Sequence, residues 1–162
     1  YSTPGRDARD SKMRVTSVAY LAFMPDPGTP RAGSDARLAR FWAVDDLPEF
    51  NSELTCEDGP TLAFDHAAML RDGLERAASK LEYTTLATAF VDEQFTISDL
   101  RRVYEAVWRN SIDAPNFSRK VKSASGFIES TGGKRATGRA PAGLFVKGGA
   151  DIISPPFFRP IE

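Results

Sequence analysis

The chain of 162 residues holds one cysteine, Cys56, and one histidine, His66. A lone cysteine cannot close an intrachain disulfide, which points to a reducing compartment. One His and one Cys cannot build a zinc site, and no second His is present to extend a triad. His66, next to Asp65, is better read as a helix-start or core contact. No Gly-x-Ser-x-Gly nucleophile elbow occurs. No apolar run approaches the roughly 18 residues that span a bilayer. The first thirty residues lack an apolar stretch behind a basic start. The expectation is a soluble cytoplasmic protein with no membrane partner, no metal and no catalytic residues.

Net charge is also close to absent, at −1, but that average hides a division. Residues 1–82 carry 10 Lys and Arg against 14 Asp and Glu, a net −4. Residues 109–147 carry eight cations against Asp113 and Glu129, a net +6. An acidic half joined to a basic half suggests two modules, the basic one facing an anionic partner.

"RVTSVAYLAFM" (14–24) is β-branched and aromatic and reads as a central strand covered on both faces. "RFWAV" (40–44) reads as a second strand, ended by the turn chemistry of "DDLP". "FDHAAMLRDGLERAASKL" (64–81) has helical spacing behind a candidate N-cap at Asp65, and a module boundary is placed just after it, near Glu82. "YTTLATAF" (83–90) suits a short helix. "TISDLRRVYEAVW" (96–108) is a clearer helix, with Thr96 and Asp99 spaced as a capping box. After the link "RNSI", Asp113 caps a further helix with Pro115 in its first turn, ending before Gly126. The apolar ends of "GFIESTGGKRATGRAPAGLFVK" around a basic, glycine-rich middle predict a hairpin. The tail, 151–162, is Pro-rich but apolar, and is expected to be extended and packed.

Helix, short turn, helix and hairpin follow the order of a winged helix-turn-helix, here residues 83–150. In the second helix Ala114, Phe117, Val121 and Ala124 make a core stripe. Asn116, Arg119, Lys120 and Ser123 fall on another face. Arg or Lys can bond guanine, Asn can pair with adenine, and all reach phosphates. The candidate DNA-binding residues are Asn116, Ser118, Arg119, Lys120 and Lys122 on the helix, with Lys134, Arg135 and Arg139 on the wing. Six phosphate contacts would give log K against log[salt] a slope of about −5. A solvated basic face is the plain alternative.

"TGGKRATG" is no P-loop, because Arg135 follows Lys134 where Ser or Thr belongs, and Ile128 holds the place of the first glycine. The adjacent carboxylates Asp45 and Asp46 suit a turn better than catalysis.

"LEYTTLATAF…EQFTISDLRRVYEAVW…IDAPNFSRKV…GFIESTG…GRAPAGLFV" closely resembles the C-terminal winged-helix domain of the Nudix-related transcriptional regulators, the NrtR family. "GRDAR…RVTSVAYLAF", "FWAVDDLP" and "LAFDHAAML" resemble the second half of the Nudix domain that precedes it there. The resemblance implies an α+β chain: a partial Nudix-like α/β sandwich over 1–82, then the winged helix. It further implies a repressor of NAD-metabolism or sugar-utilisation genes, binding a palindromic operator in double-stranded DNA as a homodimer. ADP-ribose or a related nucleotide would relieve repression. By the same resemblance Arg6, Asp7 and Arg9 match the family's Arg-Asp-Pro-Arg loop near the nucleotide pocket, with Ala8 replacing proline. Read from the residues alone, this is a solvated charged loop beside a strand.

Nudix hydrolysis needs the box G-x5-E-x7-R-E-x-x-E-E-x-G, yet neither Arg-Glu nor Glu-Glu occurs in this chain. The chain is expected to start just after the position of the box, as a truncated form without hydrolase activity. Two other classes remain open at this point. One is a pyrophosphohydrolase of ADP-ribose or NADH with its box upstream, and the other is a module whose basic hairpin binds an acidic protein.

Overall fold

The computed structural model describes residues 2–4, 16–33, 37–51, 54, 59–136, 138 and 140–159. It divides into two compact units, Tyr1–Gly73 and Leu74–Glu162.

In the first unit, β1 (Ser2–Pro4) and β2 (Thr16–Val18) pair antiparallel, with Thr3 opposite Ser17. The strand expected through 14–24 is therefore much shorter among the described residues. From Ala19 to Met24 the chain is irregular, and Tyr20 is 93% exposed. A strand apolar on both faces persists only between neighbours that satisfy its backbone and cover its faces. Here the described residues place only Ser2–Pro4 beside it. The second expected strand, 40–44, is also absent. Residues 40–43 are irregular and Val44–Asp46 form a 3-10 turn. The Ala43 and Val44 carbonyls accept from Asp46 and Leu47 N–H at 3.1 Å, so local bonds use groups that a ladder would need. The turn chemistry of "DDLP" is present, and it begins one residue early.

Helix α1 spans His66–Tyr83, and the division between the units falls inside it. The Asp65 carbonyl accepts from Met69 N–H at 3.0 Å, which sets the helix start where the sequence suggests. His66 is exposed and lies edge-on to Phe64, so it is not a core residue.

The second unit begins with the last turns of α1, whose Ala77, Ala78 and Leu81 are buried. The Trp108 indole N–H donates to the Ala78 carbonyl at 3.1 Å, which ties these turns to the helices that follow. The boundary expected near Glu82 lies beyond these buried turns. A 3-10 helix over Thr85–Phe90 takes the place of the short helix at 83–90. α2 (Ile97–Trp108) and α3 (Ala114–Ser123) follow, then a hairpin of β3 (Ile128–Arg135) and β4 (Ala142–Lys147). Thr96 and Asp99 form the reciprocal capping box, and Asp113 accepts from Asn116 N–H at 2.9 Å. At Gly126 the backbone turns with φ +67°, which few other residues adopt cheaply, and the chain enters the hairpin.

The core gathers Leu81, Phe95, Leu100, Tyr104, Phe117, Val121 and Phe127. Ile153 and Phe157 of the tail are part of it. Ile153 N–H donates to the Tyr83 carbonyl at 2.8 Å and Phe157 N–H to the Glu82 carbonyl at 2.7 Å. As far as Arg159 the tail is thus packed, through Ile153 and Phe157, while Ile152 and Phe158 face outward. Arg159 closes it with bonds to Glu82 Oε1 at 2.8 Å and Glu75 Oε1 at 2.6 Å. No helix among the described residues is long and apolar enough to cross a membrane.

Candidate nucleic-acid interface

α3 is oriented by what it buries. Phe117 and Val121 are buried one turn apart. The Phe117 ring meets Tyr104 of α2 edge-on at 5.2 Å and Phe157 of the tail at 6.2 Å. Ala124 continues this stripe. Ala114 does not, and is exposed, because it is the first helical residue and lies a turn beyond the core.

With that side fixed, helical geometry leaves Asn116, Arg119, Lys120 and Ser123 outward, and all four are exposed. Arg119 donates from Nη2 to Asn116 Oδ1, so the guanidinium and the amide form one polar unit on the surface. Ser123 Oγ donates to the Lys120 carbonyl at 2.9 Å and is engaged with its own helix. Ser118 is half-buried, at the edge of the polar face. Lys122 is exposed on the flank.

The turn between the helices is braced by two α2 residues absent from the sequence-based set. Arg101 Nη1 donates to the Ile112 carbonyl at 2.9 Å, and Glu105 Oε1 accepts from Ile112 N–H at 3.0 Å. Both ends of one residue are thereby held, which fixes where α3 starts. Their i, i+4 spacing on α2 was the available signal, but it equally fits a plain surface pair, here 3.7 Å apart.

The hairpin is antiparallel, with Ser130 opposite Phe145 and Lys134 opposite Gly143. Between these pairs β3 spends three residues where β4 spends one. The extra length is a bulge, with Gly132 at φ +74° and Thr131 Oγ1 donating to the Leu144 carbonyl at 3.0 Å. Phe95 and Phe145 exchange backbone bonds of 2.9 and 2.8 Å, so β4 has a neighbour on each side.

Lys134 is exposed on the wing. Arg135 is half-buried and bonds to Asp99 and to the Gln94 carbonyl. Lys147 pairs with Asp151 at 3.1 Å. Burial pushes the Asp99 carboxyl up, but the Thr96 N–H and hydroxyl, then Arg102 and Arg135, outweigh it and hold it below the usual carboxylate value. Arg139 lies outside the described residues, as do Arg6, Asp7 and Arg9 of the candidate effector loop. Among the described residues no three of His, Cys, Asp and Glu converge as metal ligands would.

This geometry can do one thing well. It presents a polar helix face of Asn116, Arg119 and Lys120 and, on the hairpin, an exposed Lys134, side chains that suit phosphates and base edges.

Residues 87–146 match the family model of the NrtR DNA-binding winged helix domain. The chain is 31% identical over 84 residues to the "ADPR responsive transcriptional repressor NtrR" of Acinetobacter baylyi. That match covers 52% of this chain and 33% of the relative, so the chain spans about a third of the relative's length. A crystal structure of Shewanella oneidensis NrtR with a 27mer DNA is similar at 29% identity and a TM-score of 0.48, covering 62% of this chain and 45% of that one. Another Shewanella oneidensis NrtR structure matches at 35% identity and a TM-score of 0.48, covering 60% and 44%.

Proposed function

We propose that this chain, whose residues 87–146 carry the DNA-binding winged helix domain of the NrtR family, is part of a repressor that grips double-stranded DNA with α3 and the wing. The observation that carries this reading is the exposed Asn116, Arg119 and Lys120 face, set by burial of Phe117 and Val121 inside the matched domain. Asn116 and Arg119 read base edges in the major groove, while Lys120, Lys122 and Lys134 hold phosphates.

The finer parts of the reading draw on resemblance. The N-terminal segment is Nudix-like and senses an effector, ADP-ribose or a related nucleotide, which Arg6, Asp7 and Arg9 contact. The ADP-ribose response of the Acinetobacter relative supports that choice. The operator is palindromic and bound by a homodimer, and the regulated genes belong to NAD metabolism or sugar utilisation.

The test is a gel shift of the full-length protein on its own promoter region, with and without ADP-ribose. A retarded band that ADP-ribose abolishes is expected. Absence of any band at low salt, where phosphate contacts are strongest, refutes DNA binding.

A further inference from the structure

Arg135 stands among the wing cations, yet its guanidinium is turned to the start of α2. Nη1 donates to Asp99 Oδ2 at 2.9 Å, Nη2 donates to the Gln94 carbonyl at 2.7 Å, and the Asp92 carboxylate lies 3.8 Å away. β4 lies between β3 and this acceptor segment, because Phe145 pairs with Ser130 on one side and Phe95 on the other. The arginine therefore crosses β4 to reach its acceptors. It does so beside Ala142, its register partner, whose methyl group is a small obstacle on the shared face.

The acceptor has a second duty. Asp99 Oδ2 also takes the Thr96 N–H and the Thr96 hydroxyl, each at 2.9 Å. One carboxylate oxygen thus joins the N-terminus of α2 to the wing. Successive side chains on a strand point to opposite faces, so tying Arg135 to one face presents Lys134 on the other. Lys134 is exposed there.

We propose that Arg135 is a positioning residue that clamps the wing to the start of α2, and that Lys134, not Arg135, meets phosphate. The consequence for DNA rests on the repressor reading above, whereas the clamp itself does not.

The experiment uses the intact chain in two settings. Without DNA, amide hydrogen exchange is followed by NMR across 134–135 and 142–143. Arg135→Met is expected to speed exchange there about tenfold, and Lys134→Met to leave it unchanged. Asp99→Asn should reproduce the Arg135→Met effect and add nothing to it. Unchanged exchange in Arg135→Met overturns the clamp. Should that variant not fold, Arg135→Lys replaces it, since it keeps the charge and loses the two-pronged geometry.

With a mixed-sequence DNA duplex as probe, Lys134→Met should make the slope of log K on log[salt] shallower by about 0.9. Arg135→Met should weaken binding about fivefold at an unchanged slope, the cost of a wing that is no longer pre-positioned. A slope shallower by about 0.9 in Arg135→Met would make it a phosphate contact and overturn the proposal. If the wild type does not bind DNA while Arg135→Met still speeds exchange, the clamp stands and the repressor reading falls.

Discussion

The ring of Phe117 meets the ring of Tyr104 edge-on at 5.2 Å, and this contact decides which side of α3 faces outward. Phe117→Ala is expected to cost about 3–5 kcal/mol, since it opens a cavity at the centre of the α2–α3 contact. Urea unfolding measures the loss. DNA affinity should fall with it, because the outward face loses its reference.

Arg119→Ala should cost about 1–3 kcal/mol of binding and relax preference at one base position. Lys134→Ala should weaken binding to all sequences alike. Competition titrations over single-base variants of the bound site separate the two. Equal loss on every variant for Arg119→Ala would show that it holds phosphate only.

Tyr104 is buried, and its hydroxyl has no hydrogen-bond partner among the described residues. Burial pushes its phenol far above the ordinary value, so it stays neutral. A hydroxyl left unpaired in a core is a cost, and Tyr104→Phe removes it while keeping the ring contacts. Equal stability or a gain of about 1 kcal/mol is expected in urea unfolding. A loss beyond that range would mean that the hydroxyl has a partner.

Asp99 sets an acid limit on the second unit. Its folded value lies below the ordinary 3.8, so its contribution is present above that value and drains away as pH falls through the lowered one. Glu75, held low chiefly by its hydrogen bond from Arg159, has the same sign. Urea midpoints should fall as pH drops below about 5 and on through the lowered values, and Asp99→Asn should shrink that fall. An unchanged pH dependence in Asp99→Asn would count against this carboxylate.

The tail is structural. Phe157 is buried against Phe127, Phe117 and Tyr104, with ring centroids 5.7, 6.2 and 5.9 Å away. Phe157→Ala should cost about 3–5 kcal/mol, and removal of residues 151–162 should unfold the second unit although the family match ends at 146. Circular dichroism of the shortened chain checks this.

Much of the second unit was legible in the sequence because its signals are local. Thr96 with Asp99 and Asp113 with Pro115 mark two helix starts within one turn each, and Phe117 with Val121 marks the inner face by spacing alone. The outward Asn116, Arg119 and Lys120 followed from that face. The two strands expected in the first unit, 14–24 and 40–44, differ from the structure for the opposite reason. Residues 14–24 have strand composition, but a strand exists only where another segment accepts its hydrogen bonds, and among the described residues that segment is Ser2–Pro4.

By itself, then, the sequence determined the helix pair, the hairpin and the cationic face of α3, since caps and 3.6-residue periodicity act within a few positions. Only the tertiary structure decided the destination of Arg135. Its chemistry serves a phosphate as well as a carboxylate, and the choice came from Asp99, 36 residues away in sequence and 2.9 Å away in space. The same holds for Ile153, Phe157 and Arg159, whose packing depends on surfaces supplied by α1 and the core.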